Sequence, residues 1–267
     1  MADALWQALD QSQSSRRGKP GQPLLRSDSM VVDVRLAPDD KVQVTWAETD
    51  GELRSLLARR AVLCCSKRVA KYLIHDLEQL DAEKLYAMDQ LFYNGYVVVN
   101  VLLDRPIELD FYDIYLLGDG NFPMTGDAFA RDSRVVDVLS GDYARRGGRR
   151  SGVLTLYWPL PFALSRFTLI QDDSWENYAR ALTPQLERLL PLLGLSRSSV
   201  RQVRMSRWGH AVPIADPGLI ANGVAAQLQR PIAERIFFVN QDNWALPAVE
   251  NCLLDAERVA AEVVAGL

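Results

Sequence analysis

The stretch 235–267 constrains the fold most, because strand, turn and helix signals follow one another there without a gap. Residues 236–239, Ile-Phe-Phe-Val, are a short continuous apolar run, the mark of a strand buried on both faces. The polar cluster 240–243 ends it. Pro247 then suits the first turn of a helix, where a missing N–H has no intrahelical partner to lose. Val249, Cys252, Leu253, Ala256, Val259, Ala260 and Val263 follow at helical spacing as one apolar stripe, and Gly266 is placed to stop it. A buried strand entering a helix through a polar turn presents outward N–H groups with positive partial charge. The turn is therefore a candidate anion or cofactor site, weighed against an ordinary strand–helix unit with no ligand.

Length and charge narrow the classes. At 267 residues the chain exceeds one typical domain, so one large or two interleaved domains are expected. A net charge of −4 gives no support to nucleic-acid binding, which calls for a strongly basic face. No apolar run approaches the roughly 20 residues of a membrane helix, and no signal peptide opens the chain, so no membrane span is expected. Three cysteines, Cys64, Cys65 and Cys252, do not suggest a disulfide framework and suit a reducing cytoplasm. With His75 and His210 as the two histidines, no zinc site of the usual kind is expected. No Gly-x-Gly-x-x-Gly turn occurs in the sequence.

Read in order, the chain predicts a short helix over 2–9 and a loop over 11–23. Strands are predicted at 30–36, 42–47, 53–58 and 61–65, with Asp50-Gly51 as a hairpin signal. Helices follow at 68–74 and 81–91, the second with Asp81 as N-cap. Further strands are expected at 93–103, 107–117, 135–139 and 153–158, with a turn at 118–121 and a solvated basic loop at 145–150. Ser174 caps a predicted helix to Leu182, and Thr183-Pro184 starts another. An alternating strand at 200–208 leads into Arg207-Trp208-Gly209-His210-Ala211-Val212-Pro213, and a helix follows Pro217.

Two segments, 207–213 and 235–261, resemble the second half of the FAD-dependent amine oxidase and protoporphyrinogen-oxidase-like superfamily. Val249-Glu250 match that family's C-terminal signature outright and Ala260 falls on the second of its paired alanines, whereas Asn240, Asn251 and Ala256 stand where it has glycine. The resemblance implies an α/β fold of α+β character: the remnant of a FAD/NAD(P)-binding domain, 1–74 and 205–267, with an inserted mixed-sheet substrate domain, 75–204. The missing dinucleotide turn makes the chain look like the C-terminal portion of a longer flavoprotein or a truncated relative.

The implied cofactor is FAD and the implied activity is oxidoreduction of a small molecule, amine oxidase-like or desaturase-like. By resemblance Val31 passes the adenine and Ser66 ends the strand after the meander. Gln241 or Asp242 takes the place of the strand-end acid, Ala248 and Val249 offer backbone N–H groups to the flavin, and Trp208 lies beside the ring. His210 and Tyr96 are the candidate catalytic residues; Tyr96 or Asn100 is the polar residue on offer where many members place a lysine that this strand lacks. Trp208 as a core aromatic, and His210 as a fastener of its loop, are the competing readings. A flavin-free binding or scaffold protein that keeps the fold is the alternative function. The chain alone is expected to be inactive.

Overall fold

A computed structural model describes residues 2–15, 25–107, 109, 111–116, 134–141, 151–160 and 162–266. The turn expected at 118–121, the basic loop 145–150 and residues 16–23 of the expected loop lie outside the described residues. The chain is mixed α/β and divides into two compact units. The first comprises Met1–Met88, Gln227–Asn240 and Leu253–Leu267, and the second Asp89–Ala226 and Gln241–Cys252. These boundaries differ from those expected at 74 and 204. Residues 205–213 fall in the second unit because their strand is hydrogen-bonded into its sheet.

In the first unit, helix α1 (Ala2–Ser15) runs past the expected 2–9, since no Gly or Pro interrupts it before Gly18. Strands β1 (Met30–Ala37), β2 (Lys41–Ala47) and β3 (Leu53–Ala58) form an antiparallel meander. The Asp50-Gly51 signal is a turn in which Gly51 takes φ +85°, a conformation that side chains disfavour. Helices α2 (Lys67–Leu73), α3 (Leu77–Leu80) and α4 (Ala82–Asp89) follow, and the Lys84 N–H donates to the Asp81 carboxylate at 2.9 Å, as the cap reading expects. Strand β4 (Ala61–Leu63) pairs in parallel with β10 (Ile236–Phe238) in the register Ala61↔Ile236 to Leu63↔Phe238. All three residues of β10 are buried, and among the described residues it pairs with β4 and, at Ile236, through an isolated antiparallel bridge with Ile232.

Two lysines in this unit are wholly buried. The ammonium groups of Lys67 and Lys84 lie 4.7 and 4.6 Å from the centre of the Phe238 ring. Lys84 donates to the carbonyls of Gln227, Leu228 and Arg230, which uses its three donors. Burial, followed by the charge of Lys67, brings its pKa down to about 7. Lys67 donates to the Asn240 side-chain oxygen at 3.4 Å, and Asn240 donates in turn to the Cys65 carbonyl, so the strand ends are fastened by polar groups.

The second unit is built on β5 (Tyr93–Leu103), which alternates buried and half-buried over its whole length. It is flanked by β8 (Gly152–Leu160) and β9 (Val200–Pro213), with β6 (Asp113–Tyr115) and β7 (Asp137–Ser140) beyond β8. All described pairings in this sheet are antiparallel, so the mixed direction expected of it is absent there; the parallel pair belongs to β4 and β10. Val97, Val99, Val101 and Leu103 pack in one core with Leu182, Leu186, Leu189 and Leu190. Burying each such side chain is worth about 2 kcal/mol. Those leucines lie on a single helix, α6 (Ser174–Leu192), which continues through Pro184 where the sequence predicts a break. The buried stripe on both sides of the proline outweighs its lost N–H. Helix α5 (Phe162–Leu169) approaches β5 closely at Gly95: a Cβ there would stand 2.6 Å from that of Ser165.

After the short helix α7 (Val224–Gln229), the closing helix α8 (Val249–Ala265) begins two residues after Pro247. Its expected stripe is rotated. Asp255 and Val259 are buried and Cys252 and Val263 half-buried, while Val249, Leu253, Ala256 and Ala260 are exposed. Asp255 tolerates burial because Arg258 pairs with it at 2.6 Å.

Candidate functional site

Tyr96 on β5 is opposite Trp208 on β9, and Asn94 is opposite Val212. One residue of β5, Gly95, therefore faces three of β9: Gly209, His210 and Ala211. Such a bulge bends its strand and re-aims side chains. In a regular strand Trp208 and His210 would share a face. Here Trp208, Ala211 and Val212 line a cavity of about 480 Å³ on one face of the sheet. Arg207, Gly209 and His210 line a different one of about 490 Å³. The structure does not bring Trp208 and His210 together.

The first cavity is walled by aromatic side chains. Tyr96 and Tyr157 meet edge to face at 6.3 Å, with Trp208 half exposed beside them and Tyr115 at the rim. Asp137, opposite Tyr115 in the register of β6 and β7, also lines it. Burial and a hydrogen bond with the Asp113 carboxyl push Asp137 up to about 6. Burial raises the Tyr96 hydroxyl as well, and the charge of Asp113 raises that of Tyr115. Aromatic faces with a carboxyl titrating near neutrality can hold a cation or exchange a proton with a bound molecule. Sequence reading reached Tyr96 and Trp208 and missed Asp113, Tyr115, Asp137 and Tyr157. The available signal was an acid on the same face as an aromatic in an otherwise apolar strand.

In the second cavity His210 meets the ring of Tyr93 edge to face at 5.8 Å. The Tyr93 hydroxyl donates to the buried Asp242 carboxylate at 2.6 Å, and the Gln241 side chain donates to the Ala211 carbonyl at 3.0 Å. Both residues thus tie the turn 241–244 to the sheet. Ala248 is half-buried and Val249 exposed at the start of α8. In the first unit Val31 is partly exposed on β1, opposite Trp46, and the Ser66 carbonyl accepts the N–H groups of Val69 and Ala70 at the head of α2.

Among the described residues no group of His, Cys, Asp and Glu could hold a metal ion, and no helix is long and apolar enough to cross a membrane. No protein-family model matches the chain, and no curated protein matches it. Solved structures do. Its fold is similar to that of putrescine oxidase. A single mutant of that enzyme, redesigned for cofactor binding, superposes with a TM-score of 0.59 at 16% identity over 90% of this chain. A triple mutant gives 0.58 at 15% over the same share. The chain spans 49% of the length of either putrescine oxidase chain.

Proposed function

We propose that the chain is the substrate domain and C-terminal flavin-facing part of an FAD-dependent oxidoreductase, amine oxidase-like or desaturase-like, acting on a small molecule. The observation that carries this reading is the likeness to putrescine oxidase over 90% of the chain. The aromatic cavity adds a place for a substrate. The residues present fit FAD in part. The N–H groups of Ala248 and Val249, at the head of α8, suit the pyrimidine end of a flavin. Gln241 and Asp242 are already bonded to Ala211 and Tyr93, and the sequence has no glycine turn for a pyrophosphate.

FAD, when bound, supplies the acceptor for hydride or electrons. The chain's own part is to hold and orient the substrate: Tyr96, Tyr157 and Trp208 wall it from water, and Asp137 holds or takes a proton at its carboxyl oxygen. Three cysteines, none of them in a disulfide, support a cytoplasmic setting.

The 267-residue chain alone should bind FAD weakly, because the oriented donors that phosphates need are missing from its sequence. Titration of the purified chain with FAD tests this, and tight stoichiometric binding would refute it. The missing phosphate turn also favours a second reading, a flavin-free binding protein that keeps the fold. A yellow full-length protein would exclude that reading, and a colourless, FAD-indifferent one would exclude the first.

A further inference from the structure

Two arginines and no carboxylate line the second cavity among the described residues. Arg166 from α5 and Arg207 from β9 line it with His210, Leu169 and Ile170. Elsewhere in this acidic chain Arg35, Arg54, Arg230 and Arg258 pair with carboxylates, whereas Arg60 and Arg204 donate to neutral oxygens. Arg166 and Arg207 pair with none among the described residues. Arg207 is nonetheless held in place: one terminal nitrogen donates to the Leu169 carbonyl at 2.8 Å and to the Ser174 hydroxyl. Its other donors take no protein partner among the described residues. A guanidinium fixed by one nitrogen keeps the rest of its planar fork for a ligand.

Ser174 opens the long helix α6, whose N-terminal end adds positive potential. Asp173 and Glu176 in the same turn offset part of it, yet neither lines the cavity. Leu169 and Ile170 supply an apolar wall beside the charges. Carboxylates and phosphates are the groups whose geometry matches guanidinium forks.

We propose that this cavity binds a small organic oxyanion, a carboxylate or phosphomonoester whose short apolar body rests on Leu169 and Ile170. The site is separate from the aromatic cavity: Arg207 faces away from Trp208 by ordinary strand alternation, and the β9 bulge brings His210 to the same side as Arg207. The proposal stands whether or not the chain serves a flavin.

Equilibrium dialysis of the 267-residue chain at low ionic strength, with benzoate and with phenyl phosphate, tests it. Saturable one-site binding of at least one probe is expected, and the tighter probe assigns the carboxylate or the phosphoryl source. Arg166→Gln should weaken binding roughly tenfold or more, with an unchanged melting temperature, because it removes a charge-assisted donor and no internal bond. Arg207→Lys, which keeps the charge and loses the fork, should weaken it as well. Arg201→Gln removes the same charge elsewhere on β9 and should leave affinity within about twofold. Absence of saturable binding by both probes, or an equal loss in Arg201→Gln and Arg166→Gln, overturns the proposal.

Discussion

The two antiparallel sheets of this chain hold themselves in different ways. In the second unit β5 buries every other side chain along its length and shares a core with the leucines of α6. In the first unit β3 is exposed at all but its last position, and the meander buries little beyond Val34, Val42 and Trp46. The first unit's buried polar contacts lie outside the meander: Lys84 on the carbonyls of Gln227, Leu228 and Arg230, and Lys67 on Asn240 just after β10. The second unit's sheet is secured by apolar area, which tolerates pH; the first unit also depends on buried donors and charges, which do not.

The widest separation should appear on truncation. Leu156→Ala in β8 removes a buried side chain from the core and should cost about 2–5 kcal/mol, whereas Leu57→Ala in exposed β3 should stay within about 0.5 kcal/mol. Urea unfolding of both variants measures this, and equal losses would break the comparison. Lys84→Met comes next. It leaves three carbonyls without a donor and should destabilise the first unit by about 1–3 kcal/mol.

The same residue gives a pH signature. Between a folded value of about 7 and the ordinary lysine value of 10.5, the unfolded chain binds more protons at Lys84 than the folded one. Stability contributed by this group therefore rises with pH across that window and falls away toward pH 7. Lys84→Met should flatten the slope, as melting temperatures recorded from pH 7 to 10 would show.

Smaller effects probe the second unit's open face. In a flavin-loaded complete protein, Trp208→Ala should disturb the flavin spectrum and lower turnover roughly tenfold, since it opens a wall of the aromatic cavity. His210→Asn, in the other cavity, should lower it far less. Equal losses would mean that the bulge does not separate them. Asp137→Asn should be the mildest for stability. Its raised pKa means that the folded state binds more protons between about 4 and 6, so stability falls as pH rises through that range. The variant should remove the fall and gain at most about 1 kcal/mol at pH 7, because the group is partly solvated. Thermal melts at pH 4.5 and 7 decide it.

Much of the frame was legible because its signals are local. The apolar run at 236–239, the Asp50-Gly51 turn and the Asp81 cap each act within a few residues, and the structure has a strand at 236–238, the turn and the cap. Signals that depend on distant partners were not. Thr183-Pro184 reads as a helix start, and only the packing of Leu182 and Leu186 against the sheet carries α6 through it. The exposed face of α8 has the apolar residues that sequence assigns to the core, while Asp255 is buried with Arg258. Within the site, Tyr96 and Trp208 were reached through resemblance. The Asp113–Asp137 pairing depends on strand register, which neither strand's own sequence contains.

The bulge in β9 has a further consequence for how the chain can change length. Between Trp208 and Val212 the strand carries two residues more than its partner β5 requires. The pairs on either side keep their faces across that surplus. Deleting both Gly209 and His210 would leave Trp208 and Val212 pointing as they do now. Deleting one would leave a surplus of one, an ordinary bulge across which the flanking pairs still keep their faces. Length variation at this point is buffered: the strand can lose one or two residues while the pairs on either side of the bulge are kept.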